Sequence, residues 1–446
     1  MILKKSFKIL AVFSVLVVFS FFSVTNLSLA DEKLKPEVKA STNSVEIYFN
    51  LIGDQFEVLK GDKLIKKGKV NKPIINSLTT VNRDKIVLNN LDSNTPQRFK
   101  VKAIKDNKEI EGVIIETSTL RSEKDKEPIK NSPLKDSHLT TIIKKNEVNL
   151  TWAGVPDDDN VYEIYRNGKL VNTVKGNTYV DNTVFPNKKY LYEIVGKTRI
   201  SNDEIKQKEK KLRENKISYN KKDEEDLFYV SNRVYKNVDT SGEYSTAAAP
   251  PSGYGHLLRY QIFIPDPKAA NLSASAYKWP FFKGDNRYKY DWYSNKYRTR
   301  VDVYALFNYN PAKVVIRKSV NPTVAYDWHM REAKRQPADL SNVKLTASGG
   351  GSDSGGRYAN IGVSHAVCDP LVEPKSGCPA VDYWYKAKVY ENGNVSAIGS
   401  HDQAPSHELW MINYPGDFDV PLHTFWNKGL IRLISIYPSV NWSYSY

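Results

Sequence analysis

Two parts of the chain carry the same order of short alternating segments, and this duplication limits the fold more than any other feature. Val45-Glu46-Ile47-Tyr48-Phe49 precedes Phe56-Glu57-Val58-Leu59-Lys60-Gly61-Asp62-Lys63-Leu64. Later, Val148-Asn149-Leu150-Thr151-Trp152 precedes Tyr162-Glu163-Ile164-Tyr165-Arg166-Asn167-Gly168-Lys169-Leu170, and Tyr190–Val195 answers Phe99–Ala103. Strict alternation is the period of a half-buried strand, so Val148, Leu150 and Trp152 share one face. Gly61-Asp62 is a turn pair, and Asn167-Gly168 closes a hairpin because both residues tolerate positive φ. With further strands at Lys85–Leu88, Arg98–Ala103 and Val113–Thr117, the repeat predicts two small β-sandwiches, over 36–121 and 137–237. Residues 31–44 read as an exposed lead-in. One segment breaks the second sandwich: Asp203–Asn215 is charged throughout except for Ile205 and Leu212. It predicts a short surface helix, capped by Ser201 or Asn202, inside an insert spanning 201–226.

The second copy resembles the fibronectin type III modules of secreted bacterial proteins. It has Trp152 in an early strand, the Tyr162–Lys169 hairpin, Tyr179-Val180-Asp181, and the Tyr190–Tyr192 strand. The first copy has Phe49 in place of the tryptophan. The resemblance covers roughly 40–235 and implies framework tyrosines packed between sheets, a spacer or adhesive role and no catalytic residue.

The start of the chain bears on compartment. Lys4, Lys5 and Lys8 precede an apolar run from Ile9 to Val24 and the sequence Ser28-Leu29-Ala30. This order predicts a secretory signal peptide over 1–30, cleaved after Ala30, with no membrane span afterwards; an uncleaved anchor is the rival. Formal charge is +15, and loss of the leader lysines leaves +12. Such an excess suits polyanions such as teichoic acids, or serves as a soluble basic surface. Because it is spread along the chain, no nucleic-acid partner is expected. Asp157-Asp158-Asp159 lacks the ligand spacing and glycine turn of a calcium loop and reads as a solvated turn.

Residues 238–255, rich in Ser, Ala, Pro and Gly, read as a linker. From 256 to 446 strands are expected at Leu257–Ile264, Arg298–Leu306, Lys313–Val320, Thr323–Trp328, Val381–Tyr390, Val395–Ser400 and Gly429–Tyr437. Asn392-Gly393 joins two of them as a hairpin. The class is therefore all-β: two fibronectin type III-like β-sandwiches, the second with a helical insertion, and a C-terminal β-sandwich or barrel. Ser348–Gly356 has glycines but no following Lys-Ser/Thr or helix, so it reads as a mobile loop rather than a phosphate cradle. Cys368 and Cys378 are the only cysteines. In an exported chain they are expected to form a disulfide, worth roughly 2–3 kcal/mol by loop closure.

This unit also resembles an uncharacterised domain family of secreted Bacillus-type proteins. Phe282-Lys283-Gly284-Asp285-Asn286-Arg287, Ser294 to Arg300, Ser364-His365, Val381-Asp382-Tyr383, Gly399-Ser400-His401-Asp402 and Glu408 carry the likeness. It implies a Gram-positive host and an extracellular compartment but no mechanism. His407 departs from an aromatic position of the pattern.

Seven of the 8 tryptophans lie in this unit, within a chain holding 28 tyrosines. Displayed outside the cell on spacer modules, such a sheet suits stacking on sugar rings. Tyr383, Trp384, Tyr385, Trp410 and Trp426 are the candidate contacts with a cell-wall polymer or carbohydrate. Tyr383 and Tyr385 share one face and Trp384 takes the other. The alternative is an extracellular hydrolase in which His365, His401, Asp382 and Glu408 act as base, orienter and acid; zinc would be its cofactor. Otherwise no cofactor is expected, and the aromatic composition favours a binding protein over an enzyme.

Overall fold

The computed structural model describes residues 36–49, 52–70, 84–123, 132–214 and 218–241, followed by a set of strands between 255 and 445. The expected leader, residues 242–254 of the expected linker, the strand expected at Gly429–Tyr437, and Cys368 and Cys378 lie outside the described residues.

The first module is built from β1 (Pro36–Ala40), β2 (Val45–Phe49), β3 (Gln55–Lys60), β4 (Lys63–Lys69), β5 (Asp84–Leu88), β6 (Pro96–Lys105) and β7 (Lys108–Ser118). A sheet of order β1-β2-β5 lies against strands β4-β3-β6-β7. The alternating residues Val45, Ile47, Phe49, Val58, Phe99 and Val101 fill the space between them. The expected lead-in is thus partly a strand: β1 pairs with β2 from Pro36↔Phe49 to Ala40↔Val45. Its Pro-Glu-Val-Lys-Ala sequence lacks a strong alternating signal, and pairing supplies the order that propensity does not.

The second module repeats the plan with β8 (His138–Lys144), β9 (Glu147–Ala153), β10 (Val161–Arg166), β11 (Lys169–Lys175), β12 (Thr178–Asp181), β13 (Lys189–Arg199) and β14 (Tyr229–Asp239). Here β8-β9-β12 faces β11-β10-β13-β14. The duplication reaches fine detail. A bulge interrupts the hairpin at Val58/Leu59 in the first copy and at Ile164/Tyr165 in the second. Phe49 meets Phe56 edge-on at 5.6 Å, and Trp152 meets Tyr162 edge-on at 5.2 Å. The seven strands in two such sheets have the architecture of a fibronectin type III-like sandwich.

The modules share a sheet. β7 pairs with β8 through Ile114↔Ile143, Ile115↔Ile142 and Glu116↔Thr141, giving one seven-stranded sheet β12-β9-β8-β7-β6-β3-β4. Its two faces serve different cores. Ile142 of β8 is buried in the first core, and Ile114 of β7 is buried in the second. The edge groups of β7, which would otherwise face water unpaired, are satisfied by the next module.

The insert between β13 and β14 holds two helices, α1 (Asn202–Glu214) and α2 (Lys221–Phe228), where one was expected. Ser201 and Glu204 form a reciprocal cap: Ser201 N–H donates to Glu204 Oε2 at 3.0 Å, and Glu204 N–H donates to Ser201 Oγ at 3.3 Å. Ile205 and Leu212 are buried as the spacing implied, but against Leu227 and Phe228. The second helix has few apolar residues of its own and is recruited by this small core. Asp157 and Asp158 are not simply solvated. Asp157 accepts from the N–H groups of Asp159, Val161 and Lys197, and Asp158 from that of Arg199.

The remaining strands are β15 (Gly255–Pro265), β16 (Arg298–Tyr309), β17 (Ala312–Asn321), β18 (Ala325–Tyr326), β19 (Glu332–Ala333), β20 (Val343–Asp353), β21 (Gly356–Ala366), β22 (Ala380–Tyr390), β23 (Val395–Asp402), β24 (Ser406–Asn413), β25 (Asp419–Trp426) and β26 (Val440–Ser445). They form a sheet of order β17-β16-β15-β24-β25 and the continuation of a nine-stranded sheet, β11-β10-β13-β14-β26-β23-β22-β21-β20. Among the described residues neither order closes on itself into a barrel. β17 lies against β20 and β21, and β25 against β26. The glycine-rich Ser348–Gly356 stretch is a correction: it contributes to the β20–β21 hairpin, with Gly351 opposite Tyr358. Glycine lowers strand propensity, and a large cross-strand neighbour offsets that loss.

β26 is the hinge of the architecture. It runs parallel to β14 and antiparallel to β23, so the C-terminal unit extends the sheet of the second module. Side-chain amides fix its register. Asn441 Nδ2 donates to Asn232 Oδ1 at 3.1 Å, and Asn237 Nδ2 donates to the Tyr444 hydroxyl at 2.9 Å. A slip by one residue would strand the buried Asn232–Asn441 pair unpaired in the interior. Across the facing sheets, buried Lys236 of β14 pairs with Glu116 of β7 at 3.2 Å. No helix among the described residues is long and apolar enough to cross a membrane.

Candidate functional site

β22 and β23 pair antiparallel from Asp382↔Asp402 to Val389↔Val395, and this register orders the candidate residues. Trp384 of β22 is opposite Gly362 of β21 and Ser400 of β23. Trp384 is half-buried between two small neighbours, so part of the ring remains accessible. On the same face, Asn360 is opposite Lys386 and Tyr358 opposite Lys388. Lys386 Nζ sits 4.4 Å from the centre of the Tyr358 ring, a cation–π contact. Trp384 and Tyr358 are offset by about 14 Å at ~3.4 Å per residue. This face is continuous with the packed interior of the second module, because Ile398, opposite Lys386, belongs to that core. A rigid sheet therefore positions the tryptophan, rather than a loop.

Tyr383 and Tyr385 hold register positions of the opposite parity to Trp384, as the alternation implied. His401 is opposite Tyr383, and His365 is opposite Val381, so both histidines share the Tyr383 parity. Asp382 is opposite Ser364 and Asp402, on the Trp384 parity. No register shift interrupts either pairing. The topology thus brings His365, Asp382 and His401 to one end of three adjacent strands but divides them between faces. Glu408 lies in the other sheet, opposite Gln261 and Thr424; Trp410 and Trp426 are in that sheet as well. His401 is 3% exposed. Among the described residues no three His, Cys, Asp or Glu side chains are grouped to hold a metal ion.

A second concavity has no local sequence signature. A cavity of about 330 Å³ opens where the end of the first module, the start of the second and the C-terminal strands meet. Arg121, Asp136, Ser137, His138, Ser396 and Ser443 are among its lining residues. Arg121 Nε donates to Asn94 Oδ1 at 3.2 Å. The Thr117 and Thr140 hydroxyls lie 3.2 and 3.1 Å from His138 Nε2, and Ser118 Oγ lies 3.4 Å from Nδ1. Burial pushes the His138 pKa down to about 4, so the ring is neutral at ordinary pH. Residues this far apart in sequence reveal their proximity only through the strand order. Tyr358 and Lys386 were missed for a related reason: their alternation is visible, but the partner strand is not.

No family model matches the chain, and no curated protein does. Among the solved structures that match is a two fibronectin type-III domain segment from chicken tenascin, 16% identical, covering 37% of this chain and 89% of that one, with a TM-score of 0.14. A likeness so slight carries no weight, and the sandwich assignment rests on the strand order.

Proposed function

We propose that the chain is an exported binding protein whose fused β-modules hold an aromatic β-sheet, and that this sheet takes carbohydrate of the cell-wall kind. The observation that supports the reading is the half-buried Trp384 between Gly362 and Ser400, on a face shared with Tyr358 and Lys386. Two half-buried aromatic rings on one rigid face suit the apolar faces of sugars, and half-buried Asn360 between them suits a hydroxyl group, while buried Lys386 holds the Tyr358 ring in place. The basic and apolar leader pattern in the first thirty residues supports export. The hydrolase alternative would require His365, His401, Asp382 and Glu408 to converge, and the register sets them on two faces and two sheets.

Retention on insoluble cell-wall polysaccharide tests the proposal. The chain should be retained, and Trp384→Ala should weaken retention about tenfold while its circular dichroism keeps the folded β-sheet signal. Trp384→Phe should restore part of it. Equal retention of wild type and Trp384→Ala would refute the reading.

A further inference from the structure

The duplicated modules differ at one equivalent edge. β4 reads Lys63-Leu64-Ile65-Lys66-Lys67-Gly68-Lys69, and β11 reads Lys169-Leu170-Val171-Asn172-Thr173-Val174-Lys175. Both strands end a sheet, β4 in the seven-stranded and β11 in the nine-stranded one. Both follow a tight hairpin and carry a bulge at the same place. β11 keeps an edge strand soluble with a lysine at each end, the ordinary protection against edge-to-edge pairing. β4 adds Lys66 and Lys67, where its twin has Asn172 and Thr173. The scaffold does not need that extra charge.

All four β4 lysines are exposed. Lys66 Nζ donates to the Val87 carbonyl oxygen at 3.4 Å. No carboxylate among the described residues forms an ion pair with Lys63, Lys66, Lys67 or Lys69, although Glu57 is opposite Lys67 in the register. By contrast, Lys100 and Lys102 of β6 in the same sheet are both paired with Glu109. Lys63 to Lys69 spans about 20 Å at ~3.4 Å per residue, a line of positive charge at the rim of the molecule.

We infer that β4 is a docking edge for a linear phosphodiester-linked polyol polymer, separate from the aromatic face of the C-terminal sheet. Charge complementarity supports this partner: a polymer with one anion per repeat can lie along an edge and meet several lysines in turn. An anionic membrane is the competing occupant, since Leu64 and Ile65 are exposed. β4 carries none of the Trp or Tyr side chains that seat a surface at the headgroup level. A strand edge also presents a line rather than a plane.

The test compares the exported chain with Lys66→Asn/Lys67→Thr, which writes the residues of β11 into β4 and so preserves the fold. Immobilised poly(glycerol phosphate) is the probe, with neutral dextran and phosphatidylglycerol vesicles as parallel arms. The wild type should bind the polymer, lose affinity as salt is raised, and ignore dextran. The double variant should bind it roughly tenfold more weakly or worse, as expected for the loss of two lysine–phosphate contacts. Lys169→Asn on β11 should bind as wild type. Unchanged polymer binding by the double variant would overturn the inference. So would preferential binding to vesicles that Leu64→Ser/Ile65→Ser abolishes.

Discussion

His138 ties the acid stability of the molecule to the joint between its modules. An ordinary histidine protonates near pH 6.5, whereas this one, depressed by burial, protonates only near pH 4. In that window the unfolded chain binds a proton that the folded chain does not. The contribution is therefore complete above pH 6.5 and is lost as pH falls from 6.5 towards 4. Melting temperature should drop across this range, and His138→Gln should flatten the part of the drop that wild type shows beyond its carboxylates. An identical profile for the variant would remove His138 from the account. Gly399 is the second sensitive position. The Trp442 ring lies directly over it, so an added Cβ would come within 2.3 Å of ring carbons. Trp442 is 1% exposed and cannot swing away. Gly399→Ala should cost about 1–3 kcal/mol in denaturant titration, as overpacking does. A neutral effect would mean that the ring has room to move.

Between elements, the shared β7–β8 pair makes the two modules one folding unit. Ile142→Ala removes a side chain of the second module from the core of the first, and Ile114→Ala does the reverse. Each should cost about 2–4 kcal/mol. Each should also accelerate amide exchange on the far side of the joint: Ile142→Ala in β2 and β6, and Ile114→Ala in β10 and β13. Exchange changes confined to the mutated strand's own module would show two independent beads. Element scale is also where the sequence speaks most clearly. The hairpins at Gly61-Asp62, Asn167-Gly168 and Asn392-Gly393 were legible because alternation and turn chemistry are local. β1 and β20 were not, because one lacks alternation and the other is glycine-rich, and pairing imposes their conformation. The second helix of the insert escaped notice because Leu227 and Phe228 are its only apolar residues, and the core that recruits them lies on the first helix. At the candidate site, the opposite faces of Trp384 and its tyrosine neighbours followed from parity alone. The identity of the strands beside them did not.

At the scale of the molecule, each module ends on an edge that the next unit covers. β8 covers β7, and β26 covers β14. A sheet nine strands wide then runs from β11 to β20 and carries Trp384 on β22, the seventh strand from β11, rather than on a tether. Such a sheet would present its aromatic face in a fixed orientation to a ligand. No local pattern announces this design, since β26 is separated from β14 by about two hundred residues at the level of the long-range contacts that folding must close. The arrangement depends on β26 being inserted between β14 and β23. Amide hydrogen exchange reads that insertion directly. Val440–Ser445 should exchange as slowly as the central residues of β14 and β23, on the timescale of global unfolding. Exchange of that segment within seconds, while β14 and β23 stay protected, would contradict the continuous sheet and with it the rigid presentation of Trp384.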